Sequence, residues 1–110
     1  MWAALRAQPN VRRGHNVAIY HNGRTMTVGV QIDAAAFQPR AGVTLSATPA
    51  GRAATATHIG PYAEMRRTND AIIAWCREAG LQLSGPSWEV YGDWEEDESN
   101  ARTDVYYLLR

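Results

Sequence analysis

The sequence predicts an α+β domain built from a duplicated strand–helix–strand–strand unit. Three observations carry this. Residues 85–91, GPSWEVY, alternate apolar and polar after a Gly-Pro turn, as a half-buried strand does. Residues 14–20, GHNVAIY, repeat that construction. Between them, residues 62–79 place apolar side chains three and four apart, the period of an amphipathic helix. A shift of 71 positions lays Gly14 on Gly85, Tyr20 on Tyr91 and Arg6 on Arg77 without a gap. One fixed offset of this kind marks an internal repeat.

Taken in order, residues 1–8 (MWAALRAQ) hold helix formers and stop at Pro9-Asn10. They read as the tail of a helix. Residues 15–20 form the first strand, and His21-Asn22-Gly23-Arg24 turns it back, Asn-Gly being the strongest hairpin dipeptide. Residues 26–32 (MTVGVQI) return, with Gly29 signalling a bulge or a close backbone approach. A loop over 34–42 and a short strand over 43–45 follow. After the turn at 48–51, residues 53–58 (AATATH) are small and suit a strand packed closely by another element.

Pro61 sits where a helix begins. The helix reads from 62 to 79, with Tyr62, Met65, Ile72, Ile73, Trp75, Cys76 and Ala79 on one apolar face. Arg66 and Asp70 are an i,i+4 pair, and Gly80 suits the C-cap. Ser84-Gly85-Pro86 turns into a strand over 88–91, 93–100 is an acidic loop, and 103–109 is the last strand. The chain is expected to be one domain, with 1–46 a partial first repeat and 47–110 a complete second one. The first copy lacks an opening strand and most of a helix. A late start, or completion by a second copy in a homodimer, is expected from that.

Composition bounds the partners. The chain has 110 residues, 45% apolar and 20% charged, enough for one core. Eleven basic residues balance eleven acidic ones, all the basic ones arginine, and no basic stripe marks a nucleic-acid binder. No window is apolar enough to span a membrane. A single cysteine, Cys76, fits a reducing cytoplasm. Three scattered histidines lack metal-ligand spacing, so neither metal nor cofactor is expected.

The motifs TPAG, HIGPY, AIIAWC, GPSWEVYGDW and RTDVYYLL, in this order, resemble the GyrI-like small-molecule-binding domain, which is also the effector-binding half of AraC-type and MerR-type multidrug regulators. GHNVAIY and VGVQI resemble its first half. The resemblance implies an antiparallel sheet with helices on one face and a groove between the repeats for hydrophobic, often aromatic or cationic molecules. Relatives instead bind partner proteins or hydrolyse strained cyclopropane-bearing antibiotics. In relatives that bind cationic drugs, a Glu stands two positions after an Asp of the final strand. Aligning Asp104 with that Asp puts Tyr106 there.

If Val17, Ile19, Trp88 and Val90 pack under the helices, alternation turns Ala18, Tyr20, Glu89 and Tyr91 to the other face. Tyr20, Glu89, Tyr91 and Tyr106 are then the expected pocket, with His58, Tyr62 and Trp94 at its margins. Glu89 is the polar anchor and the candidate general acid or base. Against this, the tyrosines could be plain sheet residues, Glu89 a strand salt bridge, and His58 a cap on its turn. Cys76, Trp75 and Trp88 read as core. The expected function is binding of a hydrophobic, aromatic small molecule as a sensor or drug-sequestering module. The rivals are a strained-ring hydrolase and a protein-interaction module.

Overall fold

The computed structural model describes residues 13–21, 23–32 and 44–110. The expected helix at 1–8 and loop at 34–42 lie outside them, as does Val43 of the expected strand at 43–45; Thr44 and Leu45 are not in a strand. Among the described residues five strands form one antiparallel sheet: β1 (Arg13–Tyr20), β2 (Met26–Ile32), β3 (Ala53–Ile59), β4 (Leu83–Tyr91) and β5 (Arg102–Leu109). The helix α1 (Met65–Glu78) lies between β3 and β4 in sequence. The spatial order is β2-β1-β4-β5-β3, so the two look-alike strands β1 and β4 pair at the centre.

Register sorts the side chains, because residues directly opposite share a face. Val17 opposes Val90, and Ile19 opposes Trp88, which in turn opposes Tyr106. On the other face Ala18, Glu89 and Val105 form one row, and Tyr20, Ser87 and Tyr107 the next. A shift of 71 turns the Val17–Val90 pair into the Trp88–Ile19 pair and returns Ala18–Glu89 to itself. The central pair is therefore two-fold symmetric about Ala18 and Glu89. The return strands obey the same rule: Val28 opposes Ala18 as Val105 opposes Glu89.

The helix does not cover the expected face. Its buried residues Met65, Ile72 and Cys76 pack on Ala54 and Val105, with Ala56, Tyr107 and Leu109 alongside. These strand residues belong to the Glu89 face. The small residues of β3 are the reason, since Ala54 and Ala56 let a helix approach the sheet closely. Full burial of Met65 or Ile72 contributes roughly 1.5–3 kcal/mol each. Ile72→Ala would open a cavity beneath α1 at a cost of about 2–5 kcal/mol. Val17, Ile19 and Trp88 form a second cluster on the opposite face.

The apolar stripe of α1 is narrower than its spacing suggested. Tyr62 and Trp75 are more than half exposed, so Trp75 is not core. Residues Tyr62–Glu64 form a 3-10 turn rather than the first α-helical turn, led by Pro61 in extended backbone. At the far end the Leu81 amide bonds the Cys76 carbonyl at 2.8 Å around Gly80, whose φ is 72°. A side chain is disfavoured in that left-handed conformation, which is why glycine closes the helix. Ser84-Gly85-Pro86 is not a turn before β4. It lies within the strand, at an irregularity between Leu83 and Ser87, with Gly85 at φ 121°.

Candidate functional site

On the helix face, Glu89 sits at the sheet centre, ringed by phenols from three strands and a turn. Tyr20 ends β1, Tyr91 ends β4, Tyr107 lies on β5 and Tyr62 on the 3-10 turn. The Tyr91 hydroxyl points at Glu89 Oε2 from 3.5 Å. The Tyr20 hydroxyl is near enough to interact with both Glu89 and Tyr91. Tyr62 meets Tyr91 edge-on, with ring centres 5.5 Å apart at 85°. That T-shaped geometry sets the positive ring edge of one phenol against the negative face of the other.

The electrostatics follow from partial burial. Desolvation pushes the Glu89 carboxyl above its ordinary value, while the Tyr20 and Tyr91 hydroxyls, and less so His58, oppose it. Tyr91 is raised strongly, first by burial and then by the Glu89 charge. Burial and Glu89 also raise Tyr20, and Tyr107 moves the same way. The phenols are therefore neutral donors at neutral pH. Glu89 is a carboxyl that holds its proton more readily than a solvated one.

Behind the phenols the site is tied to the helix. His58, at the end of β3, is 6% exposed. Its Nε2 donates to the Pro61 carbonyl at 3.0 Å, which leaves Nδ1 to accept from the Thr68 hydroxyl at 2.8 Å. The ring so joins strand, turn and helix, the capping role weighed against ligand contact. The Tyr107 hydroxyl donates to Asn69 Oδ1 at 2.6 Å, and the Asn69 amide donates to the Met65 carbonyl. Thr103 lies between His58 and Tyr91 in the same register row, fully buried, with no partner for its hydroxyl.

Of the residues expected from sequence, Tyr20, Glu89 and Tyr91 come together, with Tyr62 touching Tyr91 and His58 behind. Tyr106 does not join them. It opposes Trp88 and stacks on it at 5.2 Å, 5° from parallel, so it belongs to the other face. Asp104 shares that face and accepts from Thr57 and Arg102. Trp94 is 85% exposed in the loop after β4 and makes no ring contact among the described residues. Tyr107 was missed. Alternation set it with Val105, and a helix over Val105 selects Tyr107 for the Glu89 side.

A cavity of about 410 Å³ opens at the β4–β5 turn, bordered by His15, Tyr91, Asp93, Glu95, Arg102 and Asp104. It is polar and open, and neither Glu89 nor Tyr20 borders it. Several of its polar groups pair with each other: His15 Nε2 lies 3.0 Å from Asp93, and Arg102 Nε 3.2 Å from Asp104. Among the described residues no group of three or more His, Cys, Asp or Glu side chains could hold a metal ion. No helix among them is long and apolar enough to cross a membrane.

A search among curated proteins found no match. A family model does match, that of the GyrI-like small molecule binding domain, over residues 19–110. The matched span holds all of β2–β5, α1 and every member of the phenol–carboxylate group. The chain therefore belongs to the GyrI-like small molecule binding domain family.

Proposed function

We propose that this small-molecule-binding domain takes a hydrophobic, aromatic ligand against Tyr20, Tyr62, Tyr91 and Tyr107, with Glu89 as its polar anchor. The observation that carries the reading is the half-buried carboxyl of Glu89 set among four phenols on one face. Aromatic walls with few polar groups suit a drug-sized molecule. Aromatic faces also attract cations, and an ionised Glu89 would add a full charge. In this reading the chain works in the cytoplasm as a sensor or a drug-sequestering module, without contacting nucleic acid itself. Two copies are proposed to associate, since β2 leaves one edge unpaired among the described residues.

Titration calorimetry with a panel of hydrophobic cations and neutral aromatics tests this. Binding should saturate at one ligand per chain. Cations should weaken more than neutral ligands in Glu89→Gln. A panel in which nothing binds, or in which Tyr20→Ala and Glu89→Gln bind as wild type does, would sink the proposal.

A second reading rests on the raised Glu89 carboxyl. Protonated, it would give its proton to the atom released as the strained ring bond breaks, while a water adds at the other end of that bond and loses its proton to solvent, and a phenol hydrogen-bonds the developing oxyanion. Turnover of a strained-ring substrate, lost in Glu89→Gln with binding kept, would favour it over binding alone.

A further inference from the structure

Thr103 is 0% exposed, and its hydroxyl has no hydrogen-bond partner among the described residues. A buried polar group left unpaired is rare in a folded protein and calls for a reason. Register places the residue. It opposes His58 on one side and Tyr91 on the other, so the three share one row on the Glu89 face. Both ends of that row are tied to the turn before α1. His58 Nε2 donates to the Pro61 carbonyl at 3.0 Å, and Tyr91 meets the ring of Tyr62. Pro61 and Tyr62 therefore pass over Thr103. The Pro61 carbonyl cannot take the hydroxyl as well. It already accepts from the Glu64 amide at 3.0 Å, so both of its lone pairs are in use. Thr103 is left with a buried O–H donor and no acceptor.

We propose that Thr103 determines the specificity of the Glu89 site, and that the ligand it selects is an aromatic molecule carrying a carbonyl. This rests on the binding function proposed above and names the chemistry of its ligand. The ring lies against the phenols, and the carbonyl oxygen accepts from the Thr103 hydroxyl beside Tyr91. Entry requires Tyr62 to turn aside. Little holds it: Tyr62 is 57% exposed, and its turn of three residues buries none of them. The edge contact that Tyr91 makes with Tyr62 passes to the ligand ring. The new hydrogen bond carries no further desolvation cost on the protein side, because the folded chain already bears it. An aromatic molecule without an acceptor leaves the donor unpaired, and a site with a buried polar group rejects such an analogue.

The test uses two probes of matched shape, acetylnaphthalene and ethylnaphthalene, in titration calorimetry on the full chain. Wild type should prefer the acetyl probe. Thr103→Val should narrow that preference about tenfold by losing acetyl affinity alone. Thr103→Ser restores the hydroxyl and should restore the preference. Isotope-edited infrared spectra give a readout that packing does not move. The bound carbonyl stretch should fall below its position in an apolar solvent in wild type and Thr103→Ser, and return to that position in Thr103→Val. The wild-type spectrum decides even where Thr103→Val does not fold. A bound carbonyl at its apolar-solvent position in wild type would overturn the proposal, as would an equal preference in wild type and Thr103→Val. Either result leaves the binding function standing. Failure of both probes to bind would remove that function, and this proposal with it.

Discussion

Ala18 and Glu89 face each other across the central strand pair, on the axis that relates one half of the sheet to the other. Symmetry gives the two positions the same backbone surroundings, and sequence gives them opposite chemistry. Ala18 is 4% exposed and adds no charge. Glu89 therefore holds the axis alone. Two carboxylates at this separation would resist joint ionisation, so the alanine keeps Glu89 free to exchange its proton without a like-charged neighbour opposite.

The first prediction concerns that proton. Burial raises the Glu89 carboxyl above its ordinary value. A carboxyl raised in the folded state favours the fold while protonated. That contribution is complete below the ordinary carboxyl range and lost as pH rises through the raised value. Glu89→Gln should thus match wild type at acid pH and exceed it at neutral pH, by no more than about 1 kcal/mol because the group is only half-buried. Thermal melts across acidic to neutral buffers check it; a difference that does not change with pH would refute the account.

The second prediction separates the two faces. Tyr106→Leu loses the stack on Trp88 and should cost stability by about 0.5–1.5 kcal/mol beyond its lost area, with ligand affinity unchanged. Tyr20→Ala removes an exposed aromatic wall, so stability should hold while affinity for an aromatic ligand falls about tenfold. Paired melts and titrations on both variants decide. The reverse pattern would return Tyr106 to the binding face.

Much of this was legible in the sequence, and the failures have one source. Alternation in GPSWEVY and GHNVAIY, offset by a fixed shift, gave the strands, the repeat and the split of Glu89 and Tyr91 from Trp88 and Val90. Alternation cannot say which face a helix covers, since both faces of this sheet are apolar enough to be buried. The bulkier Trp88 side looked like the helix contact. The small side chains of Ala54 and Ala56, two strands away, decide the matter instead. That choice carries Tyr107 into the site and Tyr106 out of it. Register between β4 and β5 was equally out of reach, because the irregularity at Ser84-Gly85-Pro86 reads locally as a turn.

The third prediction follows from Thr103. Its hydroxyl is fully buried between His58 and Tyr91 and has no partner. A buried hydroxyl without a hydrogen bond keeps its desolvation cost and gains nothing in return. Thr103→Val is close in volume and should stabilise the protein by about 1 kcal/mol in urea denaturation. A loss of similar size would show that the hydroxyl is hydrogen-bonded in solution.

The last prediction joins helix to site. The Tyr107 hydroxyl donates to Asn69 Oδ1 at 2.6 Å, while the rest of that amide is held by the Met65 carbonyl. Tyr107→Phe keeps the ring on the sheet and leaves the Asn69 oxygen unpaired beneath α1. The expected cost is about 1–2 kcal/mol in denaturation, since an orphaned partner loses more than the net worth of the bond. Asn69→Leu together with Tyr107→Phe removes both polar groups and should recover part of that loss. The two changes would then be non-additive, as expected for residues in contact. Strict additivity across this double-mutant cycle would mean that the bond does not hold α1 over the Glu89 face.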